Sequence, residues 1–345
     1  MTGNLVFFAR DPGNANQLVA LHELVHAQMA GHDSGTLSAG AARLVAELAG
    51  GRTPDQIMVF GSDVGAQVLS AAGIEVMTDP ADALLQEPVE LFRERRVGTV
   101  VTGLSDRDDR TPQALWRAAA VCGAKCVALA DDTTIATKHA KKDLMERFRD
   151  RDGREIFPDL LCVVDKKSRD AIVAAGIPEQ TVRVIGNLHL RRFCQLAQSI
   201  DRHRIEAVRR EWNATDESTI VLYASEPITQ MQKHGKQRDH DELRLLSELI
   251  DRVRTNRLED AVRCDGNTIV VVRPHPRDEV AKFKPYLSDD APRTIISRVG
   301  SSAEAILAAD AVVGITSMLL VEAAALDRPS VSLIDFDPQA AARST

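Results

Sequence analysis

Two successive series of short, β-branched apolar runs, each run followed by a longer stretch with helical spacing, restrict most strongly what this chain can fold into. The first series comprises Leu5 to Ala9, Ile57 to Phe60, Thr99 to Thr102, Cys126 to Leu129, Leu161 to Val164 and Val182 to Ile185. Short continuous apolar runs of this kind are buried strands, as in parallel sheets covered by helices on both faces. Segments such as Ala39 to Leu48 and Pro112 to Val121 have the spacing of the crossover helices such a sheet requires. The second series begins only after the arginine-rich amphipathic stretch Ile200 to Trp212; it comprises Thr219 to Ala224, Thr268 to Arg273, Thr294 to Ser297, Ala311 to Gly314 and Ser330 to Ile334. The expectation is an α/β protein of two Rossmann-like, doubly wound domains facing a cleft. The N-terminal domain is placed at 1–195, a linker helix at 196–214 and the C-terminal domain at 215–345; a length of 345 residues suits two domains of ordinary size.

Composition removes several classes of function. With 43 basic against 50 acidic residues and a formal net charge of −7, the chain offers no general nucleic-acid or anionic-membrane surface. Aromatic residues, at 4%, are too few to build base-stacking platforms. No apolar run is long enough to span a membrane, and the opening residues lack the basic region and cleavage site of an export signal. A cytoplasmic chain without an integral membrane segment is expected. Cys122, Cys126, Cys162, Cys194 and Cys264 are scattered and read as reduced, structural thiols. The polar, turn-like segment 229–241 reads as a mobile loop.

In open parallel sheets ligands bind beyond the carboxyl ends of the strands. The most informative stretch of that kind is Ala311 to Leu333, read as strand, turn, helix, turn, strand. Gly314 ends the strand, Thr316 or Ser317 caps the helix, and the first-turn amides, Met318 included, are a ready site for a phosphate. Glu322 follows within the first two turns, from where its carboxylate can accept hydrogen bonds from a ribose diol. An ordinary capped helix with one solvent-facing glutamate fits the same residues. After the second strand of this half, Arg273 and Arg277 can hold phosphate oxygens and His275 can donate to a leaving phosphate. Ser225 and Glu226, after its first strand, can meet a diphosphate or form a solvated turn. Asn187, which with Gly186 ends the last N-terminal strand, is counted among the ligand contacts.

In the N-terminal half the loop Arg10 to Asn16 follows the first strand. Asp11 is placed to deprotonate an acceptor hydroxyl, while Gly13 and Asn14 let the backbone come close to a ligand; an Asp-Pro-Gly turn that merely starts the helix is the alternative. Asp63, Asp131 and Asp132 also follow strands and are more readily structural. Further along that helix His22, Glu23 and His26 match the HExxH zinc-protease pattern, with His32 ten residues after His22. Met29 stands where the extended pattern needs glycine, and His22 lies in the apolar stripe of Leu18, Leu21 and Val25. A buried, satisfied histidine and no metal is the expectation.

The motifs RPHPRD, VVGITSMLLVEAAALDRPSVSL and VRVIGNLHLRRF are similar to those of the GT-B superfamily. That group includes capsule and lipopolysaccharide sugar transferases and the related UDP-N-acetylglucosamine 2-epimerases. The resemblance implies a C-terminal domain that grips a nucleotide diphosphate, with the phosphates at Thr316 and Ser317, the ribose at Glu322, and Arg273 and His275 nearby. The chain stops soon after Leu333, which leaves little room for the terminal helix common in that group. The main expectation is a metal-independent glycosyltransferase that moves a sugar from a nucleotide-diphosphate donor to a hydroxyl of a glycan or lipid-linked acceptor. Asp11 would be its base and the nucleotide-sugar its co-substrate, with no other cofactor and a homodimer left open. A UDP-sugar 2-epimerase or hydrolase of the same fold is the alternative; a non-catalytic nucleotide-binding protein and the zinc protease come after it.

Overall fold

A computed structural model describes residues 3–33, 35–77, 88–104, 109–130, 141–229, 241–258, 262–334 and 337–343. The chain forms two compact units that divide between Arg191 and Arg192. Helix Leu188–Gln198 carries the chain from the first to the second. The stretch 196–214 holds the end of that helix and the whole of Arg202–Glu211, which Asp201 caps by accepting from the Arg204 amide at 2.9 Å.

In the first unit β1 (Asn4–Ala9), β2 (Ile57–Gly61), β3 (Val97–Gly103), β4 (Lys125–Leu129), β5 (Leu160–Val163) and β6 (Val182–Val184) make one sheet in the order β2-β1-β3-β4-β5-β6. Every neighbouring pair is parallel. Side chains alternate between the faces, so β1 sends Val6 and Phe8 to a core with Trp116 and Phe148, and Leu5 and Phe7 to one with Leu18, Leu21 and Leu44. Trp116 is fully buried and donates Nε1–H to Thr102 Oγ1 at 3.0 Å. Burial pushes the thiols of Cys126 and Cys162 up to about 12, which makes both inert at neutral pH.

Glu47, on helix Ala39–Ala49, ties that helix to the sheet through Arg183 and Lys125 at 3.2 and 3.3 Å and pairs with Arg43 at 3.0 Å. Burial pulls its carboxyl up, but hydrogen bonds from Arg183, Arg43 and Lys125 more than reverse this and hold it at about 2, against 4.5 ordinarily. A folded value below the unfolded one means the pairing stabilises the fold above pH 4.5 and is lost as pH falls toward 2. Glu47→Gln is expected to lower the urea midpoint at neutral pH and to flatten its decline across that acid window.

In the second unit β7 (Ile220–Ala224), β8 (Ile269–Arg273), β9 (Arg293–Ile296), β10 (Ala311–Gly314) and β11 (Ser330–Ser332) form a second all-parallel sheet in the order β11-β10-β7-β8-β9. Helix Glu242–Arg254 covers one face, packing Leu246 and Leu249 against Tyr223, Val270 and Val313. Trp212 is buried and donates to Ser297 Oγ at 2.8 Å, so each unit carries one buried tryptophan. These are the two α/β units expected from the sequence. Residues 230–240 of the expected mobile loop lie outside the described residues. Among the described residues no helix is long and apolar enough to cross a membrane.

Candidate functional site

In the second sheet β10 and β11 lie on one side of β7, and β8 and β9 on the other. Connections leaving β7 and β10 therefore diverge, which opens the crevice where parallel sheets take ligands. Gly314 lies close under Ala224, and Ser317 then caps helix Met318–Ala325, accepting from the Leu319 amide at 3.3 Å. Glu226 grips the same turn: Thr316 donates its amide to one carboxylate oxygen at 2.5 Å and its hydroxyl to the other at 3.0 Å. Thr316 and Glu226 were both expected to face a ligand, and the structure pairs them with each other because β7 runs beside β10. The amides of Ser317 and Met318 remain at the helix start, where no intrahelical acceptor exists.

Glu322, on the same helix, is buried at 6% exposure rather than solvent-facing. Its charge is felt by Arg273, whose pKa burial lowers and whose largest opposing influences are Glu322 and Glu304. The Arg273 guanidinium donates to the carbonyls of Val299 and Gly300 at 3.0 and 2.8 Å. Part of its expected phosphate-binding capacity thus anchors the loop that leads into helix Ser302–Ala308.

His275 is held as a neutral imidazole. Burial lowers its pKa, Asp278 opposes that, and Arg277, Lys282 and Arg298 reinforce it. Nδ1 accepts from the Arg277 amide at 3.1 Å, which leaves the proton on Nε2. Asp278 sets the rest of this loop, accepting the His275 amide and the Ser225 hydroxyl at 2.8 Å each. The Ser225 hydroxyl, expected to meet a diphosphate, thus donates to the loop after β8. Lys282 donates to Asp278 at 2.5 Å and also to Glu242, which in turn receives the Thr229 amide at 2.9 Å. One lysine thus bridges two fully buried carboxylates and joins the loops after β7 and β8.

In the first unit Arg10, directly after β1, pairs with Asp63 after β2 at 2.7 Å and with Asp109 at 3.1 Å. Asp109 is buried, and its Oδ2 has no hydrogen-bond partner among the described residues. Asp11 stands at the helix N-cap without a side-chain capping bond, and Gly13 lies in the first turn behind Pro12. Asn14 is buried against β3, where a Cβ at Gly103 would fall 2.0 Å from its side chain. Asn187 lies within the first unit: its Oδ1 accepts from Gln17 at 2.8 Å and from the Leu190 amide at 2.9 Å, while its Nδ2 has no hydrogen-bond partner among the described residues. Asp131 and Asp132 lie outside the described residues. His22 is half-buried, and its ring nitrogens make no hydrogen bond among the described residues, contrary to a satisfied core histidine.

Sequence reasoning passed over Asp278, Lys282, Glu242 and Asp109. Asp278 and Lys282 are four residues apart just after RPHPR, a spacing that could have flagged the pair. Nothing local marks Glu242 or Asp109.

No protein-family model and no curated protein sequence matches this chain. Solved structures do. A UDP-GlcNAc 2-epimerase from Neisseria meningitidis bound to UDP-GlcNAc is 12% identical, with a TM-score of 0.60 over 99% of this chain and 85% of that one. The UDP-GlcNAc 2-epimerase of Methanocaldococcus jannaschii is 12% identical, with a TM-score of 0.59 over 96% and 84%. Anabaena HepE in complex with UDP and glucose is 13% identical, with a TM-score of 0.57 over 95% and 80%. The chain has the GT-B fold, with two Rossmann-like units. The glycosyltransferase expectation is corrected by these matches, which run mainly to 2-epimerases and favour the alternative; the glycan or lipid-linked acceptor and the role of Asp11 as its base go with it.

Proposed function

We propose that the second unit binds a nucleoside diphosphate sugar and that the chain epimerises or hydrolyses that sugar, with UDP-N-acetylglucosamine as the substrate to test first. The carrying observation is the grouping at the carboxyl ends of β7, β8 and β10. Buried Glu322 follows a helix start with open amides, in electrostatic reach of Arg273. Neutral His275 opens the loop after β8. A diphosphate suits the amides, Arg273 and the Nε2–H of His275, and a ribose diol suits Glu322. Thr316 joins them once Glu226 releases it. Solved structures of the same fold hold UDP or UDP-GlcNAc, which supports the choice of nucleotide. The nucleotide sugar is the substrate, and the reading calls for no further cofactor.

Epimerisation at C2 breaks and remakes a C–H bond on opposite faces, whereas hydrolysis releases the sugar from its diphosphate; both need a general base. Incubation with UDP-N-acetylglucosamine in D₂O without an acceptor, followed by NMR, separates them. The C2 epimer carrying deuterium at C2 is expected from the first reaction, and free sugar with UDP from the second. Unchanged nucleotide sugar, together with no thermal stabilisation by UDP, would sink the reading.

A further inference from the structure

Helix Pro12–Met29 carries a pair of side chains that the proposed nucleotide chemistry does not use. His22 and His26 are four residues apart, so they stack on one face a turn from each other. Their ring centroids lie 4.3 Å apart with the planes at 47°. The Phe7 ring meets His22 edge-on at 5.8 Å and closes the side toward the sheet. On the open side both imidazoles border a cavity of about 570 Å³, shared with Glu23, His32, Met29 and Ile74.

Neither imidazole makes a hydrogen bond among the described residues. Packing on Phe7 accounts for the position of His22 but not for a second imidazole beside it, since a leucine at 26 would cover the same apolar wall. Two imidazoles at this spacing, facing one cavity, form a chelating pair for a cation that prefers nitrogen. Among the described residues no group of three or more His, Cys, Asp or Glu is arranged to hold a metal ion. Such a site is therefore bidentate, with its other positions left to water.

We propose that His22 and His26 bind one divalent transition-metal ion of the zinc, nickel or copper class, at a site separate from the nucleotide chemistry and without protease function. Affinity follows the order of imidazole preference, copper above nickel and zinc, and magnesium does not compete.

The test is titration calorimetry of the untagged full chain with Ni²⁺, and with Mg²⁺ as the control. One Ni²⁺ per chain is expected in the wild type. His26→Gln and His22→Gln are each expected to weaken binding about tenfold or more, a loss of about 1.4 kcal/mol or more. His203→Gln, an exposed histidine on helix Arg202–Glu211, leaves binding unchanged. Circular dichroism of each variant checks folding, and His26→Gln is the decisive one because its ring does not pack on Phe7. Equal Ni²⁺ binding by wild type and the folded His22→Gln/His26→Gln double variant overturns the proposal, as does equal loss in His203→Gln.

Discussion

Lys282→Met is expected to cost the second unit about 3 to 5 kcal/mol of stability, the loss typical of removing one partner from a buried ion pair. The Asp278 and Glu242 side chains are fully buried and the Lys282 side chain is 13% exposed, so no water replaces the lost ammonium. Backbone and hydroxyl donors from His275, Ser225 and Thr229 stay behind, but they cannot balance two buried negative charges. Urea unfolding followed by Trp212 fluorescence, in a Trp116→Phe background, reports the second unit alone. Arg202→Met serves as the comparison, since Arg202 and Glu206 form an exposed pair in the same unit and little change is expected. Losses of similar size in the two variants would show that the bridge carries no special weight.

Glu322→Ala is expected to weaken UDP binding about 10- to 100-fold, the roughly 1.5 to 3 kcal/mol of hydrogen bonds to a charged acceptor. Glu322→Gln keeps one acceptor and the side-chain volume, so its loss should be intermediate. That ordering separates a ligand contact from a packing defect, for which Gln would restore full affinity. Glu217→Ala, at an exposed position, is the control. Calorimetry showing the same UDP affinity in folded Glu322→Ala and wild type would remove the ribose role of this residue.

All eleven strands among the described residues were legible in the sequence because strands covered on both faces are written as unbroken apolar runs. Their lateral order was not. β10 lies beside β7 although ninety residues separate Thr316 from Glu226, and this adjacency turns two expected ligand contacts into a mutual pair. The contact of Asn187 with Gln17 was hidden for a related reason: a Gly-Asn step after a strand marks a turn, and which group the amide meets depends on tertiary placement. Glu322 could be singled out from its distance to the helix start, but its burial could not. The choice between transfer and epimerisation was out of reach, since one fold serves both and the decisive groups are not carried by the motifs that announce the fold.

With the carboxylate of Glu226 already seated on Thr316, binding of the proposed diphosphate at that turn would be an exchange of anions rather than the filling of an empty socket. Inorganic phosphate or sulfate, which brings charge alone, gains little by evicting a tethered competitor. A nucleotide, whose base and sugar contribute contacts of their own, can bear that cost, so a tethered acid at the helix start would act as a filter against the small anions abundant in any cell.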